Sequence, residues 1–473
     1  MPTLDDSAAT PRPLSRAVVV GGGIAGLLAA RVLADHCERV TLVERDAPGD
    51  APCPRKGVPQ GSHVHALLVR GRSIMEVLFP GLTQELRAAG AVVVNAGAEL
   101  AWYHTGGRRV RHDSDLNFLA MSRPLLEWRL AGRVRALPNV AIRPGERADG
   151  WATDGRGRVT GVRVRGAGQG EILDADLVVD ATGRGSSTPE RLAALGFDAP
   201  EAELLPTRVA YASCLFRRRD LGQTWRALVV TGAPLKRSGL VFPVEGDRWL
   251  VTLPAFFDEP MPRDHATFAA FARSLPVPDV HAAIVAGEPL SGIANHRFPG
   301  SLRRRYERLE RLPQGLIALG DAVCSFNPVY GQGMTVAAVE AELLGQALAR
   351  ARCEGGIAPD FGRRWFRDLK PIVDRAWRGV SLEDFRFPEL ADRRPARLRP
   401  LQWYMRRVHL ATHRSARVTD QFYRVMNFLD PPTALFRPRI LAEVLRSGPA
   451  GTGAPAARSA APFGPKPPAH AAS

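Results

Sequence analysis

Short unbroken apolar runs alternate with stretches of helical period along this chain, and the first pair sets the theme. Ala17–Val20 is a β-branched run that predicts a buried strand. A glycine turn over Gly21–Gly26, a helix over Leu27–His36 and a strand over Arg39–Val43, closed by Glu44, complete a β-α-β unit of about 30 residues. Residues 47–62 form a Pro/Gly-rich loop, and 63–79 predict a helix. Short strands and turns fill 91–118, and an amphipathic helix spans 123–136. Strands follow at 140–143 and 158–165, then a buried strand at Leu177–Val179 that runs into Asp180. Residues 207–253 alternate apolar and polar, the pattern of an antiparallel sheet. A strand at Gly315–Leu319 and a helix at Gly331–Leu348 return to the first pattern, and beyond Asp360 the chain is helical.

These elements predict an α/β protein. A doubly wound, Rossmann-type domain is assembled from 1–80, 119–205 and 298–352. A mainly antiparallel β domain takes 81–118 and 206–297, a helical C-terminal cap takes 353–447, and a disordered tail takes 448–473.

Two glycine segments carry the chemistry. Gly21-Gly22-Gly23-Ile24-Ala25-Gly26 is a G-x-G-x-x-G between a strand and a helix. Gly21 permits the tight turn, Gly23 lets a pyrophosphate approach the backbone, and Gly26 lets helix and strand pack closely. The helix N-terminus offers free N–H groups to the phosphates. Glu44, 18 residues after Gly26, stands where a ribose hydroxyl needs an acceptor, with Arg45 beside it. This motif alone serves NAD and FAD equally. The second segment, Gly320-Asp321-Ala322 through Pro328 to Gly331-Gln332-Gly333-Met334, follows a strand and opens a helix. A carboxylate there suits ribityl hydroxyls, and a glycine-rich helix N-terminus suits the negative charge of a reduced flavin ring.

The glycine loop, the G-D…P-x-x-G-Q-G segment and an Arg before a helix, Arg123, resemble the FAD-dependent monooxygenases of the para-hydroxybenzoate hydroxylase superfamily. Arg55-Lys56-Gly57-Val58-Pro59-Gln60-Gly61-Ser62-His63-Val64-His65 and the segment from Gly320 to Gly331 resemble actinobacterial polyether-pathway flavin-dependent epoxidases, relatives of squalene epoxidase. The likeness covers about 16–350. It implies that Gly21, Gly23, Ile24, Ala25, Gly26, Glu44 and Arg45 hold the ADP half of FAD. Arg123 would reach its phosphate and ribose, Asp321 the ribityl–pyrophosphate region, and Pro328 the ring. Gly331, Gln332, Gly333 and Met334 would supply backbone donors, and Arg55 and Lys56 are further cofactor contacts. The implied reaction inserts one atom of O2, through a flavin C4a-hydroperoxide, into a lipophilic substrate: epoxidation of a polyketide or terpenoid alkene. Hydroxylation of an aromatic ring and oxygen-independent prenyl reduction are the alternatives on the same fold. Electrons would come from NAD(P)H or a separate flavin reductase. The chain departs from the family at a second Asp-Gly motif, where Thr182 precedes Gly183 and Asp180 lies two residues earlier, and this counts against direct NADPH use. It also lacks the W-x-W-x-I-P segment of flavin halogenases.

No nucleophile–base set or paired carboxylates stand out, as expected when the cofactor carries the reactive atom. His63 and His65 are the catalytic candidates, each with local hydrogen bonding as the plainer role. Tyr211, Phe242, Pro243 and Trp249 sit on the antiparallel sheet, where strand alternation sends half of such residues away from a ligand. Five widely spaced cysteines without a C-x-x-C pair predict neither a disulfide framework nor a metal site.

Composition alters this picture in one place. Hydrophobic residues at 45% and charged residues at 24% are those of a folded globular chain. The net charge is +16, and only Lys56, Lys236, Lys370 and Lys466 are lysines, a bias toward Arg that fits GC-rich coding. The charge is uneven: 361–473 hold 21 basic and 9 acidic residues (+12), against 43 and 39 (+4) in the first 360. An Arg-rich, aromatic cap invites contact with a membrane surface or with an acidic carrier protein presenting a tethered substrate; the plain alternative is a solvated Arg face. A nucleic-acid partner is not expected, since no binding motif accompanies the charge. Residues 1–15 lack the pattern of a signal peptide, and the longest apolar stretch, 17–30, is too short to span a bilayer. The expected location is cytoplasmic, with peripheral contact at the inner membrane face.

Overall fold

The computed structural model describes residues 14–47, 49–166 and 170–446. The predicted tail at 448–473 lies outside them. Five parallel strands form the central sheet, in the spatial order Val140–Pro144, Cys37–Glu44, Leu14–Val20, Leu177–Asp180, Leu316–Ala318. Numbered along the chain, that order is 3-2-1-4-5, the half-sheet of doubly wound nucleotide-binding folds. Val18, Val19, Leu42, Val178, Val179 and Ile317 are inaccessible because helices cover one face and a three-stranded antiparallel sheet of Arg147–Thr153, Val159–Arg165 and Glu171–Asp174 packs on the other. Helix Ile24–Ala34 follows the first strand, and helix Gly333–Cys353 packs across it, close enough that Gly345 faces Val32.

The second sheet has seven strands, and only the pairing of Leu100–His104 with Ala227–Val230 is parallel. The antiparallel pairing is as expected, but the strands do not alternate between a buried and an exposed face, because both faces are buried. Leu228, Val241, Trp249 and Val251 meet helices His265–Arg273 and Asp279–Ala286 on one side. Val229, Leu240 and Phe242 point the other way, toward Tyr404, Phe422 and Tyr423 of the C-terminal helices.

Those helices form the cap. The longest, Phe361–Asp384, begins on the parallel sheet, where the Trp365 indole donates to the Ala318 carbonyl (2.9 Å), and ends over the second sheet. Helices Arg399–Ala411, Ala416–Met426 and Pro438–Arg446 complete it. Much of the cap's positive charge is paired at the surface, as in Arg364–Glu354, Arg424–Asp420 and Arg417–Glu443. Among the described residues no helix is long and apolar enough to cross a membrane.

One predicted element is shorter than expected. The helix begins at Val69, not at 63; a 3₁₀ turn spans Pro59–Ser62 and a short strand Ala66–Leu67. Tertiary bonds hold this stretch extended: Val64 N–H donates to Thr252 Oγ1 (2.9 Å), and His63 Nδ1 meets Ser213 Oγ at 2.7 Å.

The tightest backbone approach lies in the first turn. A Cβ on Gly26 would stand 1.7 Å from the Gly21 carbonyl oxygen. Gly26→Ala is therefore expected to cost about 1–3 kcal/mol or more, because the helix must lift off the strand. Thermal unfolding of the purified variant checks it.

Candidate functional site

A single cavity of about 1360 Å³ runs from the glycine loop, past the 320–334 segment, to the underside of the cap. That exceeds the roughly 300–1,000 Å³ of an ordinary one-ligand pocket. Two helix N-termini open into it. Helix Ile24–Ala34 has Gly23 as its N-cap, helix Gly333–Cys353 has Gln332, and neither has a side-chain cap. Their first N–H groups are thus available to a ligand.

The glycines divide by role. Gly21 has φ +105°, and a Cβ there would strike the Ala181 carbonyl oxygen at 2.4 Å. Gly26 is the packing glycine and lies outside the cavity wall. Gly23, Gly331 and Gly333 line the cavity, and a Cβ on any of them would meet nothing within 4 Å. These are places where side chains are missing so that a ligand can touch backbone.

Most of the other candidates meet in the same wall: Ile24, Ala25, Glu44, Arg45, Arg123, Asp321, Pro328, Gln332, Met334 and His65. The Glu44 carboxylate accepts from the Gly22 N–H (2.6 Å) and the Asp46 N–H (2.8 Å), which fixes it at the strand end. Arg55 is placed differently from the expectation. It clamps Glu44 (3.2 Å) and Glu127 (2.7 Å) and donates to the Gly22 carbonyl, outside the cavity wall. It braces the loop, held between the buried Glu127 carboxylate and the half-buried Glu44 carboxylate. Lys56 is exposed and also outside the wall. Arg123 sits at the start of helix Arg123–Arg135, which Ser122 caps through the Leu125 N–H, and donates to Glu127 (2.8 Å).

His63 is buried outside the cavity, between Ser213, Tyr211 and His296. His65 reaches the wall, with Nδ1 donating to its own neighbour's carbonyl at His63 (2.9 Å) and Nε2 toward Arg123 (3.5 Å). Burial pushes its pKa down to about 3, so it is a neutral acceptor at physiological pH.

Around Asp321, burial raises the pKa while Arg123, Arg184 and Arg304 favour the ionised form. The loop before the second helix is pinned by a buried chain of bonds. Tyr211 O–H donates to Asn327 Oδ1 (3.0 Å), the Asn327 amide donates to Asp384 (3.2 Å), and Tyr330 O–H donates to the same oxygen (2.7 Å). Burial lifts Asp384 to about 7. Behind the loop Glu340 is buried, its pKa pushed up to about 8 by loss of water, and it accepts the Gly320 N–H.

Other buried polar side chains of the cavity were not among the site residues expected from the sequence. Asp180 accepts from Thr182, Ser186 and Thr188, so its carboxylate organises the 181–188 loop that lines the cavity. Its position after a strand and the run of hydroxyls behind it were the available clue. The roof holds His104, Arg109, Glu383 and His409, drawn from segments nearly 300 residues apart with no spacing pattern. Phe242 lines the cavity, whereas Trp249 faces the opposite core against Trp225.

A parallel sheet that delivers two uncapped helix N-termini to one elongated cleft belongs to a dinucleotide-binding protein whose cofactor lies extended across the strand ends. The comparisons make this specific: the family described as FAD binding domain matches residues 15–356, and the chain belongs to that family. Protein Rv3254 of Mycobacterium tuberculosis (strain ATCC 25618 / H37Rv) is 36% identical over 389 residues, covering 79% of this chain and 81% of its own. Among solved structures, p-nitrophenol 4-monooxygenase PnpA from Pseudomonas putida DLL-E4 superposes with a TM-score of 0.60 at 19% identity, covering 88% of this chain and 99% of its own. The flavin-dependent brominase Bmp2 gives 0.65 at 14% identity, covering 92% and 100%. Both share the fold.

Two predictions follow from the geometry. Gly23 has φ −74°, which any residue adopts, and open space at its Cβ. Gly23→Val should therefore leave the unfolding temperature of the FAD-free protein near wild type and abolish FAD retention, read from the absorbance of the purified protein. Glu340 keeps a proton in the fold that the unfolded chain releases above its ordinary value of 4.5. Between about pH 4.5 and 8 the native state thus binds more protons, and stability falls as pH rises. Glu340→Gln should remove that loss, on the order of a few kcal/mol. The melting-temperature gap between variant and wild type should widen in the variant's favour from pH 5 to pH 8.

Proposed function

We propose that this protein is an FAD-dependent monooxygenase that places one atom of O2 on a lipophilic substrate, an alkene of polyketide or terpenoid type in the finest reading, with an epoxide as product. The observation that carries the proposal is the continuity of the cavity. The wall that holds the nucleotide motifs passes without a break into a chamber lined by Leu100, Phe118, Val229, Leu240, Phe242 and Phe256. The chamber suits an apolar molecule held against one end of the cofactor.

Gly21, Gly23, Glu44 and Arg45 would hold the ADP half of FAD, Arg123 and Asp321 its middle, and Pro328 with Gly331–Met334 the ring. When bound, FAD supplies the reductive activation of O2 and the transfer of one oxygen atom. The chain's own residues do the rest. The N-terminus of helix Gly333–Cys353 favours negative charge at the ring-binding end of the cleft. The chain Tyr211–Asn327–Asp384–Tyr330 fixes the loop that presents Pro328. The sheet and cap exclude water and hold the reacting carbon at short range. Neutral His65 accepts a hydrogen bond from Arg123, leaving that guanidinium oriented toward the cleft.

Phe436 lines the chamber and is still 44% exposed, so the apolar wall reaches solvent within the cap. Trp403, 54% exposed, lies on a nearby cap helix beneath Arg407. An apolar, cationic rim of this kind supports delivery of the substrate from an anionic membrane surface or an acidic carrier protein. The aromatic roof, where Trp102 stacks with Tyr423 at 6.0 Å, favours hydroxylation of a flat ring as the second reading.

The test uses FAD-loaded protein, reduced without oxygen and then exposed to ¹⁸O₂ with polyenes and with phenols. One labelled oxygen in an epoxide supports the first reading, one in a ring hydroxyl the second. Product without oxygen overturns both in favour of reduction.

A further inference from the structure

The roof of the chamber contains a buried charged cluster beside its apolar wall. Arg109 lies at its centre, 3% exposed yet lining the cavity. Its guanidinium carbon is 3.8 Å from the centre of the Trp102 ring and 4.2 Å from that of Phe422. Nη2 reaches only His409 Nδ1, at 3.4 Å, and the Tyr423 hydroxyl is its other polar neighbour. Nε and Nη1 have no partner, which leaves three buried N–H donors unused.

The charges do not balance. Glu383 is the acid of the cluster, and it is already paired with Arg386 (2.8 Å) and bonded by His409 Nε2 (2.9 Å), with His104 Nε2 at 3.8 Å. Burial holds both histidines neutral: His409 is pushed down to about 4 and His104 well below its ordinary value. Two guanidinium groups and one carboxylate leave one positive charge over. Among the described residues no carboxylate lies within ion-pair distance of Arg109. A buried cation with idle donors is costly unless a ligand completes it.

We propose that Arg109 anchors a carboxylate carried by the lipophilic substrate, so that the roof reads an acid head while the apolar wall takes the chain. His104, Glu383 and His409 also bring their ligating atoms within 4.8 Å of one another, the reach of a metal site. However, Arg109 already meets His409 and Arg386 already pairs with Glu383, and a divalent cation would add to an excess of positive charge rather than cancel it. The anion is therefore the occupant the cluster favours.

The inference rests on reading the chamber as a substrate site, and its test needs neither reductant nor oxygen. Binding of decanoate and of decan-1-ol to the FAD-loaded protein is measured by titration calorimetry. Wild type should bind decanoate about 10- to 100-fold more tightly than the alcohol, the worth of hydrogen bonds to a charged group. Arg109→Met should bring the two within about 2-fold while alcohol binding and FAD content stay unchanged. If Arg109→Met fails to hold FAD, Arg109→Gln carries the same expectation. No preference in wild type, or a preference that survives removal of the charge, would overturn the proposal. So would stoichiometric Zn²⁺ uptake that is lost in Glu383→Gln and kept in Arg109→Met. Failure of oxygen transfer with the carboxylate preference intact would count against the monooxygenase reading alone.

Discussion

Everything in the nucleotide half of this protein depends on how closely helix Ile24–Ala34 lies over the end of the first strand. The Gly21 carbonyl sits where a Gly26 Cβ would be, and the turn that brings it there needs the left-handed φ of Gly21. That contact sets the height of the helix N-terminus above the strand ends. A wider turn would carry the free N–H groups away from the cleft and pull Gly22 off the Glu44 carboxylate. Arg55 and Glu127 extend the brace outward and tie the following loop to helix Arg123–Arg135. The loop, the Glu44 carboxylate and the arginine at the helix start therefore form one mechanical unit.

The other half of the cavity is built on a different logic. The seven-stranded sheet is buried on both faces, so strands Leu100–His104, Ala227–Val230 and Gly239–Val244 each supply residues to the helical layer on one side and others to the ligand chamber. The cap is what makes the second face possible. Without Phe422, Tyr423 and Tyr404 above it, the row of Val229, Leu240 and Phe242 would be an exposed apolar patch. The concentration of arginine in the cap has a double reading for the same reason. Several of those side chains pair with acids on the surface, while Arg109, from the sheet side, is the cation that the cap seals in.

The glycine loop and the 320–334 segment were legible in the sequence because backbone demands there leave room for glycine alone, and glycine at fixed spacing is visible without coordinates. The parallel strands were equally plain, as short β-branched runs. What escaped was everything held by tertiary bonds. The extended path of 63–67 is imposed by Ser213 and Thr252, on two paired strands 150 residues away or more. Arg55 looked like a cofactor contact because a cation after the second strand usually has no better partner, but here Glu127 provides one. The roof cluster gathers His104, Arg109, Glu383 and His409 from three segments, and periodicity cannot register a meeting of that kind.

The strand order has a consequence for how the molecule is made. Strand Leu14–Val20 leaves the ribosome first, but its neighbour Leu177–Asp180 and that strand's neighbour Leu316–Ala318 come far later. The helix that covers the first helix, Gly333–Cys353, is later still. At roughly 5–20 residues per second of synthesis, the earliest apolar strand waits on the order of 20–70 s for its full enclosure. During that interval the nascent chain displays a half-built sheet with a bare edge, which is the kind of surface that chaperones hold. The birth of the cleft is thus timed by translation of the helix that follows its last strand, and a flavin present from the start would find no complete seat until then.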